Sequence, residues 1–182
     1  MRQTAIAAIL LMLAGASNAA DDVTQWRIGG SVDYSDYERD DGQIKDSGTG
    51  FKFFAQYRFN SWFGAEGAFY VSPDFSGDVT PLSGGGETDT SYQGLTLHGV
   101  GYIPFPGDRF DVFLKAGYYN FFDVKLQIDG QTTDTSSEDG LALGIGSSVQ
   151  ATDKVGVRVE IDWYDVGGAE LWTVGLGLEY RF

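Results

Sequence analysis

The chain has 182 residues, a formal net charge of −14 at pH 7, no cysteine, 26 glycines, four prolines and 15% aromatic residues. The lack of cysteine excludes a disulfide framework and a thiolate nucleophile or metal site. The negative charge argues against a nucleic-acid partner, because phosphate backbones require clustered lysine and arginine. Abundant glycine and aromatic residues with few prolines are typical of a β-rich, turn-rich domain.

The N-terminal segment has the pattern of a secretory signal peptide. Arg2 supplies positive charge, residues 5–14 form an apolar run, and Ser17-Asn18-Ala19 is a small-residue cleavage site. We therefore predict a signal peptide over residues 1–19 and an exported domain over residues 20–182. The apolar run is too short for a helix that spans ~30 Å of hydrocarbon. The rest of the chain has no run of about 18 apolar residues, so any membrane crossing must use strands.

Eight segments of the exported domain alternate between apolar and polar side chains, a period of two that indicates β-strands. They cover residues 25–34, 49–59, 62–71, 92–103, 110 onwards, 141–151, 155–164 and 172–182. The connectors are alternately short and long, as in outer-membrane barrels with tight periplasmic turns and longer outer loops. The sequence therefore predicts an all-β fold, an eight-stranded antiparallel up-and-down transmembrane β-barrel with both ends in the periplasm.

Two of the long connectors differ in pattern. The alternation of the fifth strand continues through Phe122, Val124, Leu126 and Ile128 to Asp129-Gly130, a strong hairpin signal. We expect the fifth and sixth strands to extend beyond the membrane as a two-stranded ribbon. Residues 72–91 show no alternation, which predicts a mobile loop.

The polar faces of the strands carry a balanced set of charges, six basic and six acidic, although the whole chain does not. A solvated face has no reason to balance, whereas an unpaired charge in a narrow lumen is costly. An eight-stranded barrel leaves an interior that side chains can fill, so we expect a plug rather than an open channel. The predicted lumen network contains Arg27, Lys52, Arg58, Glu66, His98, Asp111, Lys115, Arg158, Glu160, Asp162, Glu179 and Arg181, and Asp33 completes the acidic set.

The apolar faces carry aromatic residues near the strand ends, as expected for the two interfacial girdles of a membrane barrel. The predicted periplasmic girdle contains Trp26, Phe59, Phe63, Phe110, Tyr180 and Phe182, and the opposite girdle contains Tyr34, Phe51, Phe69, Tyr118, Trp163 and Trp172. A soluble barrel with its apolar face turned inward is the alternative.

The chain shows no convincing catalytic or metal-binding motif. His98 is the only histidine, and no serine lies within the fourth strand, so we predict no catalytic residue. We expect His98 to be hydrogen-bonded in the lumen with Glu66 and Lys115. Acidic residues in the long connectors offer oxygen ligands for Ca²⁺ or Mg²⁺, but no EF-hand spacing is present. We therefore predict a solvated loop surface, with no cofactor and no metal.

The segment from Gly94 onward, with YIPF, DRFDVFLKAGY and the terminal GLGLEYRF, resembles the OmpA-like transmembrane-barrel family of Gram-negative outer membranes. This resemblance implies an outer-membrane location, with lipid and lipopolysaccharide as surroundings. The alternating Leu176, Leu178, Tyr180 and Phe182 resemble the signal read by the barrel-assembly machinery. Some members carry a peptidoglycan-binding domain after the barrel, and we do not expect that tethering role here because the sequence has no such segment after Phe182.

The function predicted from the sequence is structural, in envelope integrity, or interaction at the cell surface. Three alternatives remain open, namely a small low-conductance pore, a lipid-modifying outer-membrane enzyme and a soluble periplasmic ligand-binding barrel. The sequence identifies no external partner and no oligomeric state.

Overall fold

The computed structural model describes residues 25–39, 45–73, 75–79, 86–103, 109–128, 131–166 and 169–182. The predicted signal peptide lies outside these residues. The described strands are β1 (Gln25–Arg39), β2 (Lys45–Arg58), β3 (Phe63–Val71), β4 (Phe75–Val79), β5 (Gly86–Ser91), β6 (Gln93–Ile103), β7 (Phe110–Ile128), β8 (Gln131–Gln150), β9 (Val155–Asp165) and β10 (Ala169–Arg181). No helix among the described residues is long and apolar enough to cross a membrane.

All of these strands except β4 and β5 form a closed antiparallel barrel, in the order β1-β2-β3-β6-β7-β8-β9-β10. The last strand closes the barrel against the first, with a register that runs from Arg27↔Arg181 to Arg39↔Ala169. The backbone N–H of Phe182 also donates to the carbonyl of Trp26 at 3.1 Å. The predicted eight-stranded barrel is therefore confirmed, and so is the pairing of its two ends.

The alternation of side chains separates an ionic interior from an apolar exterior. In β10, for example, inward and outward residues alternate without interruption from Ala169 to Arg181. Phe53 and Leu176, which face outward, are each 61% exposed, whereas Arg27, which faces inward, is 1% exposed. This arrangement is the reverse of a soluble barrel, in which the apolar face fills the interior, so the soluble ligand-binding alternative is wrong.

The barrel continues beyond its predicted strand ends on the side of the long connectors. β1 reaches Arg39 and β2 begins at Lys45, with pairing as far as Glu38↔Lys45. Part of the polar connector after the first predicted strand is therefore strand. This part of the β1–β2 hairpin was not predicted because a hairpin that projects into water needs no apolar face. Its side chains therefore do not alternate between apolar and polar.

The predicted extension of β7 and β8 is confirmed, with pairing as far as Ile128↔Gln131 and register shifts between Phe121 and Val124 and between Leu126 and Gln127. The Asp129-Gly130 turn lies outside the described residues. The extension is not two-stranded, however, because β5 pairs with the outer part of β7 and β4 pairs with β5. The prediction of a mobile loop over residues 72–91 is therefore wrong where β4 and β5 form. The edge of β7 supplies hydrogen bonds to β5, which needs no amphipathic pattern of its own.

Candidate functional site in the barrel lumen

Charged side chains fill much of the lumen and form two clusters. All twelve residues of the predicted lumen network are at most 8% exposed. We define the central cluster as Asp33, Lys52, Glu66, Lys115, Arg158, Glu160 and Asp162, and the periplasmic cluster as Arg27, Arg58, Asp111, Glu179 and Arg181. Each cluster combines residues from several strands, because inward positions of neighbouring strands lie side by side in the register.

Two lysines share carboxylates in the central cluster. The Nζ of Lys52 lies 2.6 Å from Asp162 Oδ2 and 3.4 Å from Asp33 Oδ2, and it also pairs with Glu160. The Nζ of Lys115 lies 2.8 Å from Glu160 Oε2 and 2.8 Å from Asp162 Oδ1. Glu160 and Asp162 therefore bridge two cations that enter the lumen from different strands.

Arg158 links the ion pairs of the central cluster to aromatic rings. Its Nη2 lies 2.5 Å from Glu66 Oε2 and 2.7 Å from Glu160 Oε2. Its guanidinium carbon lies 4.2 Å from the ring centroid of Phe54 and 4.4 Å from that of Phe113, within cation–π range of both. The alternation assigns both phenylalanines to the polar face, but only the structure reveals that they enclose the guanidinium.

The periplasmic cluster is centred on Asp111. Its carboxylate lies 2.9 Å from Arg27 Nη1, 2.8 Å from Arg58 Nη1 and 3.1 Å from Arg181 Nη2. Arg181 Nη2 is also 2.9 Å from Glu179 Oε1. The guanidinium of Arg58 lies 4.0 Å from the ring centroid of Tyr102. This cluster lies at the end of the lumen that faces the short turns.

A layer of mostly aromatic residues lies at the opposite end, and we call it the aromatic cap. Its aromatic members are Tyr37, Tyr70, Tyr92, Tyr119, Phe121 and Tyr164, and the buried Leu171 belongs to the same cluster. Tyr70, Tyr119, Phe121 and Tyr164 are 0% exposed, and the ring centroids of Tyr119 and Phe121 are 4.5 Å apart. The cap was not predicted from the sequence, although aromatic residues at inward positions near the outer strand ends are a signal that predicts it.

His98 lies in the lumen without the hydrogen bonds that the sequence analysis predicted. It is 2% exposed and stands opposite Glu66 in the register of β3 and β6. Neither ring nitrogen has a hydrogen-bond partner among the described residues, so the predicted bonds with Glu66 and Lys115 are wrong. The Glu66 carboxylate instead accepts from Gln56, Lys115 and Arg158. His98 also lacks the hydrogen bond to a nucleophile that an activating base makes.

The described residues contain no group of three or more histidine, aspartate and glutamate side chains placed to hold a metal ion. Most acidic residues of the long connectors lie outside the described side chains.

A family model of the outer membrane protein beta-barrel domain matches residues 5–182. The chain belongs to this family. The family resemblance and the outer-membrane location predicted from the sequence are thereby confirmed. No curated protein sequence matches this outer-membrane barrel.

Solved structures of other outer-membrane barrels have the same fold. Ail of Yersinia pestis, solved with the heparin analogue sucrose octasulfate, is 19% identical with a TM-score of 0.64 and covers 87% of this chain and 99% of its own. Neisserial surface protein A is 14% identical with a TM-score of 0.65, covering 86% and 97%. OprG of Pseudomonas aeruginosa is 18% identical with a TM-score of 0.63, covering 87% and 96%. At these identities the similarity shows the fold alone.

The outward face of this outer-membrane barrel meets lipid, which accounts for its exposed apolar residues. Trp26 is 54% exposed near one end of the barrel and Trp172 is 48% exposed near the other. Phe182 is 67% exposed beside the periplasmic turns. Amphipathic aromatic side chains at these levels suit the two membrane interfaces.

Proposed function

We propose that this protein is a closed, non-catalytic barrel of the outer membrane that serves envelope integrity or surface interaction, with its lumen plugged by side chains. The observation that carries the proposal is the burial of both ion-pair clusters behind an aromatic cap. An eight-stranded barrel has an interior just wide enough for side chains, and a buried ion pair is costly to separate because it leaves unpaired charge in the interior.

Single-channel recording in planar bilayers tests the plug. Refolded wild-type barrel should show no conductance comparable to that of an open porin, because a hydrated ion would have to separate both clusters and the cap. A steady porin-sized conductance would overturn the proposal and favour the pore alternative. Brief, small openings would favour a low-conductance pore in which the ion pairs rearrange.

The absence of catalysis is a separate part of the proposal, supported by the unpartnered His98 ring. Mass spectra of lipid A and phospholipids from cells with and without the barrel should be identical. A mass difference that disappears with the His98→Ala variant would establish the enzyme alternative instead.

A role in surface interaction is supported by the sheet of β4, β5, β7 and β8, which projects beyond the barrel on the side of the long connectors. Ail was solved with a sulfated, polyanionic ligand. The long connectors of this chain carry more carboxylates than lysines and arginines, so we do not extend a sulfated ligand to it. Whole cells that display the barrel should show no added retention on a heparin matrix, and retention would refute this charge-based reasoning.

The C-terminal residues Leu176, Leu178, Tyr180 and Phe182 support a further part of the proposal, which is recognition by the barrel-assembly machinery. Leu176, Leu178 and Tyr180 lie in the outward row of β10 beside the barrel seam, and Phe182 directly follows the strand. The row is accessible before the strand pairs with β1. Their function as a signal is tested by the Phe182 deletion described in the Discussion.

A further inference from the structure

A groove crosses the lipid-facing wall at the seam where the first and last strands meet. Its cavity volume is about 540 Å³. Gly30 forms part of its floor, and the walls include Phe51, Phe53, Val157, Leu176 and Leu178. The lining therefore draws on four adjacent strands, β9, β10, β1 and β2, and includes no charged residue.

The groove exists because one outward position at the seam has no side chain. Gly30 pairs with Phe53 on β2 and with Leu178 on β10. These two neighbours are 61% and 60% exposed, so both project past the bare backbone of Gly30. A Cβ at Gly30 would lie 3.3 Å from the Phe53 ring, and a larger side chain would occupy the space between the two walls.

The groove is continuous with the surface that meets lipid, which favours an acyl chain as its occupant. The one polar side chain of the lining is Ser31, which is 7% exposed and donates its hydroxyl to Asp33. The backbone of the lining is already paired in the strand ladders. A two-fold dimer through this face would place groove against groove and leave the space unfilled. A flexible hydrocarbon chain can fill an irregular apolar concavity without that constraint.

One end of the groove leads towards a basic residue. Lys154 is exposed in the short turn between β8 and β9, three positions before Val157 of the groove wall. Its Nζ lies 5.8 Å from the ring centroid of Tyr180, a member of the periplasmic girdle. Short turns of outer-membrane barrels face the periplasm, so this ammonium group lies at the level of the phosphates of the periplasmic leaflet.

We propose that the groove binds one acyl chain of a phospholipid from the periplasmic leaflet, and that Lys154 binds its phosphate. This site is independent of the lumen plug, because none of the plug residues lines the groove.

The test uses the refolded barrel in phosphatidylglycerol vesicles that contain a small fraction of phosphatidylglycerol with a diazirine in its acyl chain. After irradiation, mass spectrometry maps the crosslinked residues. Crosslinks should be several-fold enriched at Phe53, Val157 and Leu178 relative to Leu95 and Leu97, which are 57% and 51% exposed on the opposite wall. Val157 is only 38% exposed, so exposure alone would not produce enrichment there. Uniform crosslinking around the barrel would overturn the site, and so would crosslinks between two barrels at this face.

Two glycine variants provide a matched comparison. Gly30→Leu should abolish the enrichment by filling the groove, whereas Gly101→Leu should leave it unchanged, because a Cβ at Gly101 meets nothing within 4 Å. Enrichment that survives Gly30→Leu in a folded barrel would contradict the proposal. If Gly30→Leu does not fold, Leu178→Ala, which removes one wall, should also lower the crosslinking at Phe53.

A third variant tests the headgroup contact separately. Lys154→Gln should reduce crosslinking in the groove with the phosphatidylglycerol probe and have less effect with a diazirine fatty alcohol, which has no phosphate. Equal enrichment of the phospholipid probe in Lys154→Gln and wild type would show that Lys154 does not bind the phosphate.

Discussion

The substitution Arg158→Ala should destabilise the barrel more than any change to an exposed charge. It removes a guanidinium that pairs with Glu66 at 2.5 Å and Glu160 at 2.7 Å. Removing one partner of a buried ion pair costs roughly 3–5 kcal/mol when the remaining charge is left unpaired. Glu66 keeps Lys115 at 3.2 Å and Glu160 keeps both lysines, so the ionic part falls near or below the lower end of that range.

The two ring contacts of Arg158 add to this cost. A desolvated cation–π contact contributes about 2 kcal/mol, and the guanidinium is enclosed between Phe54 and Phe113. With two ring contacts and an ionic part of about 3 kcal/mol or less, we expect a total loss of roughly 4–7 kcal/mol of unfolding free energy. Arg158→Lys keeps the charge but loses the planar fork and the double stacking, so its loss should be smaller.

Urea unfolding from lipid vesicles, followed by tryptophan fluorescence and by heat-modifiable gel migration, measures these free energies. Arg109→Ala is the matched control, because Arg109 is exposed in a short turn and should change the stability by less than about 0.5 kcal/mol. A loss for Arg158→Ala no larger than that of the control would refute the reasoning and show that the lumen is well hydrated.

Three further predictions concern the cap, the histidine and the C terminus. Phe121→Ala should cost about 3–5 kcal/mol in the same unfolding assay, because the ring is 0% exposed; a loss under 1 kcal/mol would mean that the cap is loosely packed. His98→Leu should change the unfolding free energy by less than about 1 kcal/mol, or raise it, because the imidazole makes no hydrogen bond that would be lost; a large loss would reveal an unrecognised partner. Deletion of Phe182 should lower the folded fraction in cells but not refolding into detergent micelles, and equal losses in both would indicate a structural anchor rather than an assembly signal.

The barrel and its two faces were predictable from the sequence because side chains along a membrane strand point alternately to lipid and to the lumen. If the inward and outward faces were exchanged, Lys52 and Glu160 would point into lipid. The alternation at these positions therefore excludes the opposite assignment of the two faces. The balanced charges of the polar faces then indicated an enclosed interior. The contacts within that interior were not predictable, since they depend on which strands face each other across the lumen.

The stacking of Arg158 between Phe54 and Phe113 illustrates this limit. The three residues are far apart in the chain and share only an inward phase, which says nothing about distance across the barrel. His98 shows the opposite error, because the positions of Glu66 and Lys115 on the two neighbouring strands suggested hydrogen bonds that do not form. The Glu66 carboxylate is directed instead to the cations that reach it from Lys115 and Arg158.

The charge count of the central cluster leads to a last prediction. Among the described residues, this cluster contains four carboxylates and three cations. Asp33 is the outlying carboxylate, with Lys52 Nζ at 3.4 Å and the Ser31 hydroxyl at 2.5 Å, an interaction that an asparagine can retain. Asp162 instead bridges Lys52 at 2.6 Å and Lys115 at 2.8 Å. Asp33→Asn should therefore cost less than about 1 kcal/mol, whereas Asp162→Asn should cost about 3 kcal/mol.

Both variants preserve side-chain shape, so their difference isolates charge from packing. Each removes one negative charge from the cluster, and a model in which only the total charge of the lumen matters predicts equal losses. Unequal losses, with Asp162→Asn the larger, follow if individual ion pairs determine the stability. Urea unfolding of the two variants side by side distinguishes these cases, and equal losses would mean that the carboxylates exchange cation partners freely within the lumen.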